Sequence, residues 1–477
     1  MKSILKKKSE FCLQLFSRIV EVIRFRSFDH QSPEGRSRER HRKILLNTSS
    51  NFLARGFSLL VNLLVIRLVL ARLGKEEYGV WVAITAFLMW STLLDFGILN
   101  SLVNAVSEAF GKDDRETIAK HVSTGFFSLI IVAVTLTIAT VILVGQVNWS
   151  VLFSSSGVVS EHRLRWSVTA AVVPFIAGIP LSVVRQTYMG LQKTFISNVF
   201  LVLSSLLTVA AVMVAIACSA SLPWLVLASG IGVPIAALLN LGYLVKWDIP
   251  WLKPHLDRFS MDSLRRLFRS SAPLFLFQFG ALLVNYSQPF LLAHVTSYSL
   301  VADYSLLFRL YTLAGTIFVL STSSFFPAFR EAFEKGDRSW VRKNFFRLLG
   351  LRLVLSCTLG FLLALAGNAV LKIWLGKNAV SFLWPVWAVL AFILVVSSWG
   401  TAFSDLLTIM DRIWIQVVVV LLNGAATVWL TVWLAPRIGV LGALAAYVFV
   451  PLFLWSWAGP IISRSILSSK VNPPLGA

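Results

Sequence analysis

Charge-free apolar runs of 18 or more residues recur along the whole chain, and they constrain the fold more than any other feature. Each is long enough to cross a hydrocarbon core of about 30 Å at about 1.5 Å per residue. Lipid offers no partner to backbone N–H and C=O groups, so runs of this kind must be helical. Only 14% of residues are charged, against about 25% in an ordinary soluble domain. The pattern predicts an all-α polytopic membrane protein with twelve spans, at roughly 46–72, 78–105, 122–145, 166–189, 195–218, 222–245, 271–295, 300–328, 346–366, 382–406, 413–435 and 440–462. A long polar stretch precedes the first span and reads against a cleaved signal peptide.

The formal charge of +21 suggests nucleic acid at first sight. Its distribution says otherwise. With both termini placed on one side, the segments on that side (1–43, 106–121, 190–194, 246–270, 329–347, 407–412 and 463–477) hold 31 of the 43 basic residues, and the opposite loops hold seven. This is the positive-inside bias, and it predicts cytoplasmic termini and no nucleic-acid partner. The chain divides into a basic extension (1–43), a first set of six spans (44–245), a basic cytoplasmic linker (246–270), a second set of six (271–463) and a tail (464–477). In the extension, Phe11, Leu15, Phe16, Ile19, Val22 and Ile23 recur at helical spacing, as in a helix lying on a leaflet. A disordered basic tail reads equally well, and Gln31–Lys43 reads as a flexible connection. In the linker, Ser260 is placed to cap a short surface helix over Met261–Phe268. Trp149, Trp166, Trp224, Trp247, Trp251 and Trp374 fall at expected interfaces and read as an aromatic belt. The three cysteines, Cys12, Cys218 and Cys357, have no framework or metal spacing.

The two halves resemble each other. Glu108–Arg115 reads EAFGKDDR and Glu331–Arg338 reads EAFEKGDR, six identities in eight at an offset of 223 residues. At the same offset Leu60-Val61-Asn62 meets Leu283-Val284-Asn285. Six spans separate the copies, so both halves have the same orientation: a parallel pseudo-repeat.

A charge at bilayer depth is costly and tends to face a wet cavity or a partner. Span 1 carries Asn47, Asn51, Arg55, Ser58 and Asn62 at spacings of three and four, on one helix face. Span 8 carries Ser305, Arg309, Thr312 and Thr316 in the same way. Span 7 carries Gln278, Asn285 and Gln288, and span 2 carries Thr92 and Asp95. Arg55 and Arg309 each lie nine residues inside their spans, roughly 13 Å deep. A substrate cavity between the halves is therefore expected from Asn51, Arg55, Ser58, Asn62, Gln278, Asn285, Arg309, Thr312 and Thr316. Asp95 is the candidate for carrying a coupling ion; alternatively it neutralises Arg55 or Arg309. Arg67, Arg185 and Arg352, near span ends, read as snorkelling. Pro174, Pro180, Pro234 and Pro289 inside spans fit hinges and static kinks equally. Neither a catalytic constellation, nor a metal-ligand spacing, nor a phosphate-binding glycine loop is present, so neither enzymatic chemistry nor a cofactor is expected.

Residues 70–87, LARLGKEEYGVWVAITAF, and 93–114, LLDFGILNSLVNAVSEAFGKDD, resemble the opening of the O-antigen and exopolysaccharide flippases. These are the Wzx-like polysaccharide transporters of the multidrug/oligosaccharidyl-lipid/polysaccharide (MOP) exporter superfamily. Tyr188–Ile196, YMGLQKTFI, is similar to the connection after that family's fourth span, and the two-times-six layout extends the resemblance over about 44–463. The resemblance implies a MATE-like V of two six-helix bundles in a bacterial inner membrane, alternating between inward and outward states. It implies carriage of a polyprenyl-diphosphate-linked oligosaccharide from the cytoplasmic to the periplasmic leaflet. H⁺ or Na⁺ is the candidate coupling ion, and polysaccharide polymerase or assembly proteins and membrane lipids are the candidate partners. The long basic N-terminal extension departs from the family pattern. Competing readings are a drug or metabolite antiporter of the same superfamily, a scaffold of a polysaccharide assembly complex, and a membrane enzyme. Buried arginines and amides favour an anionic cargo over a cationic drug, a scaffold has no reason to bury arginines, and two equal halves do not suggest an enzyme.

Overall fold

The computed structural model describes residues 33–154, 157–323, 326–334, 336–410, 412–455 and 461. Nine stretches among them are long and apolar enough to cross a bilayer by length and composition. The first, Leu46–Asp95, contains two expected spans, and Tyr298–Ser323 and the shorter Val440–Phe453 complete a set of twelve.

Helix Pro33–Trp90 is two helices joined at Gly74, which is non-helical at φ 75°. Span 1 (33–73) therefore starts within the stretch expected to be a flexible connection. The amphipathic pattern of 1–32 lies outside the described residues. Span 2 (75–111) is interrupted: Ser91–Asp95 tightens to a 3-10 turn, Phe96 and Gly97 both take positive φ, and Ile98–Gly111 resumes the helix. The remaining spans are 3, Arg115–Gln146; 4, Glu161–Gly190; 5, Thr194–Ala217; 6, Leu222–Tyr243; 7, Met261–Val295; 8, Tyr298–Ser323; 9, Arg338–Leu375; 10, Trp384–Ile409; 11, Ile413–Ile438; and 12, Val440–Trp455. Ser260 caps as expected, its hydroxyl accepting from the Ser263 amide, but the helix it starts is span 7 itself. Span 9 also begins earlier than hydropathy indicates. Its first turns are basic and amphipathic, and hydropathy registers the lipid-facing length rather than the helical length.

The duplication is visible bond by bond. After span 2, Asp113 takes φ 54°, the Asp114 amide donates to the Ala109 carbonyl at 3.0 Å, and the Asp114 carboxylate accepts from the Thr117 amide at 3.0 Å. After span 8, 223 residues on, Gly336 takes φ 78°, the Asp337 amide donates to Ala332 at 2.9 Å, and the Asp337 carboxylate accepts from Trp340 at 3.0 Å. The repeated octapeptide is thus the turn that ends one span and caps the next. Helix pairing repeats as well. Span 1 packs on 5, 3 on 4, 4 on 6 and 5 on 6 in the first half; 7 packs on 11, 9 on 10, 10 on 12 and 11 on 12 in the second. Spans 1 and 2 meet 7 and 8 across the halves.

The two ends of the molecule differ. At the end holding the turns at Gly74, 157–160 and 296–297, one apolar cluster joins both halves, with Ile66, Tyr78 and Phe153 against Leu292, Tyr298 and Leu306. At the basic end, which holds the duplicated turns, the clusters are separate. One gathers Leu102, Val106, Ile118, Tyr188 and Leu267, the other Phe345, Leu349, Phe403 and Leu406. The buried apolar packing joins the halves at one end; at the other it divides into two clusters, and there span 7 packs on the first half through Leu267 and through the rings of Phe268 and Phe275 against Phe96.

Candidate functional site

The seal is built from the LGKEEYG segment. Gly74 turns the chain, and Lys75 then pairs with Asp303 of span 8 at 2.8 Å. Glu77 takes both guanidinium nitrogens of Arg163, at 3.0 and 3.1 Å. The Ser305 hydroxyl meets the Tyr78 hydroxyl at 3.2 Å. Gly79 lies so close to Tyr298 that an ideal Cβ would sit 2.1 Å from its carbonyl oxygen. The Tyr298 hydroxyl donates to the Phe153 carbonyl, and the Trp374 indole donates to the Leu63 carbonyl at 2.9 Å. Trp374, and Trp149, which is buried and bonded to Val144, serve packing rather than the belt. Trp166, Trp224 and Trp247 are exposed, as a belt requires.

At the basic end the linker is fastened to the first half. The amides of His255 and Ser260 donate to the hydroxyls of Ser123 and Thr124, at 3.3 and 3.1 Å. Arg266 pairs with Glu108 at 2.5 Å, and Lys193 with Asp248 at 2.9 Å. The Lys112 hydrogen bond, then the Arg266 charge, hold the Glu108 carboxyl below the usual carboxylate range.

The polar stripe of span 1 serves several purposes. Asn47 ties the Tyr188–Ile196 turn, donating to the Gln192 carbonyl and accepting from the Phe195 amide, both at 2.9 Å. Ser58 bonds Ser205 of span 5 at 2.8 Å. Asn62 is half-buried. Asn51 accepts from Arg55 Nε at 2.8 Å, and Arg55 is otherwise exposed. Its charge reaches Arg185 of span 4, also exposed. Arg309 is exposed on span 8, close enough to act electrostatically on Tyr78. Among the described residues Arg55, Arg185 and Arg309 have no acidic partner, and Asp95 has no cationic one. The expected alternative, in which Asp95 neutralises Arg55 or Arg309, is therefore not realised. Thr312 and Thr316 return their hydroxyl protons to carbonyls of their own helix, at 2.9 and 2.8 Å. Asn285 accepts from Tyr447 at 3.1 Å inside the second half.

Arg352 does not snorkel. It is 2% exposed and paired with Asp405 of span 10 at 3.1 Å. Its helix begins at Arg338, so residue 352 lies well inside it.

A cavity of about 490 Å³ opens inside the first half, walled by spans 2, 4 and 6, with Gln278 alone from the second. Of the expected site residues only Asp95 and Gln278 reach it. It adds Thr85, Asn100, Ser182, Gln186 and Ser229, which sequence reasoning passed over. The spacing of Ser182 and Gln186, and of Thr85, Thr92 and Asp95, held the signal: each set lies on one helix face. Asp95 sits at the interruption of span 2, its carboxylate accepting from the Gly97 amide at 3.0 Å. The Gln278 amide reaches across to the Thr92 carbonyl at 3.2 Å. Pro174 lies in the wall against Gly230, whose ideal Cβ would be 2.9 Å from the proline ring. Among the described residues no group of three His, Cys, Asp or Glu side chains is placed to hold a metal ion.

Comparison with known proteins agrees with this architecture. The solved inward-facing conformation of a multidrug resistance MATE family transporter of the MOP superfamily superposes with a TM-score of 0.72, at 14% identity, over 87% of this chain and 96% of that one. An outward-facing conformation of such a transporter gives 0.63, at 14% identity, over 90% and 97%. The "Uncharacterized membrane protein EpsK" of Bacillus subtilis (strain 168) is 25% identical over 91% of this chain and 87% of its own length. A Salmonella typhi protein whose name assigns it provisionally to O-antigen transport is 33% identical over 96 residues, which span 19% of this chain and 22% of that protein. Residues 41–333 match the family described as polysaccharide biosynthesis protein. The fold is the one found in those MATE transporter structures, and this chain belongs to the polysaccharide biosynthesis protein family.

Proposed function

We propose that this protein is a flippase that carries a polyprenyl-diphosphate-linked oligosaccharide from the cytoplasmic to the periplasmic leaflet by alternating access. The proposal takes residues 44–245 and 271–463 as the moving bundles, a bacterial inner membrane as the location and the cytoplasm as the side of both termini. The observation that carries it is the set of exposed arginines without acidic partners among the described residues, Arg55 and Arg309 well inside spans 1 and 8 and Arg185 nearer the end of span 4. An uncompensated cation at that depth is costly. An anionic headgroup that arrives and leaves offsets the cost, and a guanidinium offers phosphate a planar fork of donors. The basic bias of the end at which the apolar core divides into separate clusters supports opening toward the cytoplasm, where such a lipid is made. The isoprenoid chain stays in the bilayer while the headgroup crosses. Asn51 supports this role by orienting Arg55.

The test is complementation of polysaccharide export with membrane abundance measured in parallel. Arg55→Ala, Arg185→Ala and Arg309→Ala are expected to impair export severely at normal abundance, and the Lys variants to impair it partly. Full export by all three Ala variants at normal abundance refutes the reading. Lost abundance in their place makes these arginines structural.

A further inference from the structure

The cavity inside the first half and the arginines outside it differ in hydrogen-bonding character. A hydroxyl has one proton to donate. In the cavity wall that proton is already used: Thr85 donates to the Trp81 carbonyl at 2.9 Å, Thr92 to Met89 at 2.6 Å, Ser182 to Ile179 at 2.5 Å and Ser229 to Val226 at 2.7 Å. All four therefore have only acceptor capacity left, and Ser229 and Thr92 already spend part of it on the Trp81 indole and the Gln278 amide, at 3.4 and 3.5 Å. An ionised Asp95 is an acceptor outright. The Gln278 amide points its N–H at Thr92. The donors left are the side-chain amides of Asn100 and Gln186, neither of which has a hydrogen-bond partner among the described residues. Among the described residues neither Lys nor Arg lines the cavity.

A diphosphate offers only acceptors and carries negative charge. In an acceptor-rich, cation-free cavity beside Asp95 it loses its hydration without replacement. A sugar is the reverse case: its hydroxyl and amide groups supply donors all round the ring. Leu88, Phe175 and Val226 in the same wall suit the apolar face of a pyranose, and the volume falls within the roughly 300–1,000 Å³ of small-molecule sites.

The geometry points to a division of the cargo: this cavity is the carbohydrate subsite. It takes a sugar without anionic groups through Asp95, Ser182, Gln186 and Asn100, while the diphosphate stays outside with the arginines. The inference rests on the flippase reading and adds to it the chemical class admitted to the first half. It gives Ser182, Gln186 and Asn100 a role in selecting cargo, and it predicts that acidic sugars are excluded from this cavity.

The test uses the full chain in lipid nanodiscs and two probes, undecaprenyl diphosphate and undecaprenyl-diphosphate-linked N-acetylglucosamine. The unsubstituted protein is expected to bind the sugar-bearing lipid at least tenfold more tightly. Gln186→Leu and, separately, Asn100→Leu are expected to remove most of that advantage and to leave the sugar-free lipid's Kd within twofold. Arg55→Ala is expected to weaken both lipids alike. Thermal unfolding of each variant identifies misfolding, and having two independent cavity variants keeps the test decisive. The inference is overturned if the sugar's advantage survives both cavity substitutions, or if they weaken both lipids equally. Binding of tetraphenylphosphonium that depends on Asp95 and Gln186, with no sugar preference, overturns it in favour of an organic-cation site. Failure of the unsubstituted protein to bind either lipid removes the flippase reading itself, an outcome distinct from loss of the sugar preference alone.

Discussion

Gly79→Ala is the most direct perturbation of the seal between the halves. An ideal Cβ there lies 2.1 Å from the Tyr298 carbonyl oxygen and 2.8 Å from its carbonyl carbon. Both are backbone atoms, so no rotamer change relieves the clash. Span 2 or the start of span 8 must retreat by about 1.3 Å to reach the 3.4 Å of ordinary contact. Such overpacking costs about 1–3 kcal/mol. If the halves alternate, only the state sealed at this end bears the cost, and the population shifts about 5- to 150-fold toward the state open there. The assay is the labelling rate of Ala302→Cys by a membrane-impermeant maleimide, in a background without Cys12, Cys218 and Cys357. Ala302 is fully buried in the sealed cluster, so its label reports opening. The expected result is a rise in rate within that range at unchanged abundance. An unchanged rate with normal abundance refutes the claim that this contact holds a movable seal; a fall in abundance without faster labelling means a permanent joint.

Other predictions follow from single contacts. Arg352→Ala strands Asp405 and is expected to cost about 3 kcal/mol, near the low end for a buried pair because the Asp405 side chain is 41% exposed, read as lower membrane abundance; Arg352→Lys is expected to recover only part of it, whereas Arg67→Lys, on an exposed side chain, is expected to be silent. Glu108, held below the usual carboxylate range, keeps its charge at neutral pH. Its contribution to fastening the linker is present above the ordinary carboxylate pKa and is lost as pH falls through the depressed one. Limited proteolysis between 246 and 260 is therefore expected to stay slow at neutral pH and to accelerate only in strong acid, whereas Glu108→Gln accelerates it at neutral pH; equal rates for both proteins at neutral pH refute the latch. Asp95→Asn is expected to abolish any dependence of transport on a pH gradient, and transport that still follows the gradient makes Asp95 a structural or cargo-binding group alone.

The spans were legible because bilayer thickness is written directly into apolar run length, and the described part of each of the twelve expected runs is predominantly helical. Their ends were less so. The cap at Ser260 announced the first turns of span 7 but not that they run on into the span, and the cap at Asp337 starts span 9 in basic turns that carry no hydropathy signal. The interruption of span 2 was hidden as well. It places Phe96 at positive φ, which no residue preference announces, and only Gly97 marks it. The duplicated octapeptide was legible as a repeat, but its purpose, a helix stop followed by a carboxylate cap, emerged only from the matched hydrogen bonds at Asp114 and Asp337.

The site was harder to read for a more general reason. A helical polar stripe shows which residues share a face, not which of them find partners. Ser58 is satisfied by Ser205, Asn47 by the turn after span 4, Asn285 by Tyr447 and Gln288 by Thr431. All four look as functional in the sequence as Arg55 does. What separates them is subtraction. In a low-dielectric bundle an unmet polar group is costly, so those met within the fold are accounted for by it, and those left unmet need an explanation from outside. Among the described residues that remainder includes Arg185, Arg309 and Arg55, which is bonded only to Asn51, in one group and the amides of Asn100 and Gln186 in another. The first is cationic; the second is uncharged, brings amide donors to an otherwise acceptor-lined wall, and faces the cavity of the first half. A cargo with one anionic part and one polyhydroxylated part accounts for both groups. A cargo of uniform chemistry leaves one of them unexplained.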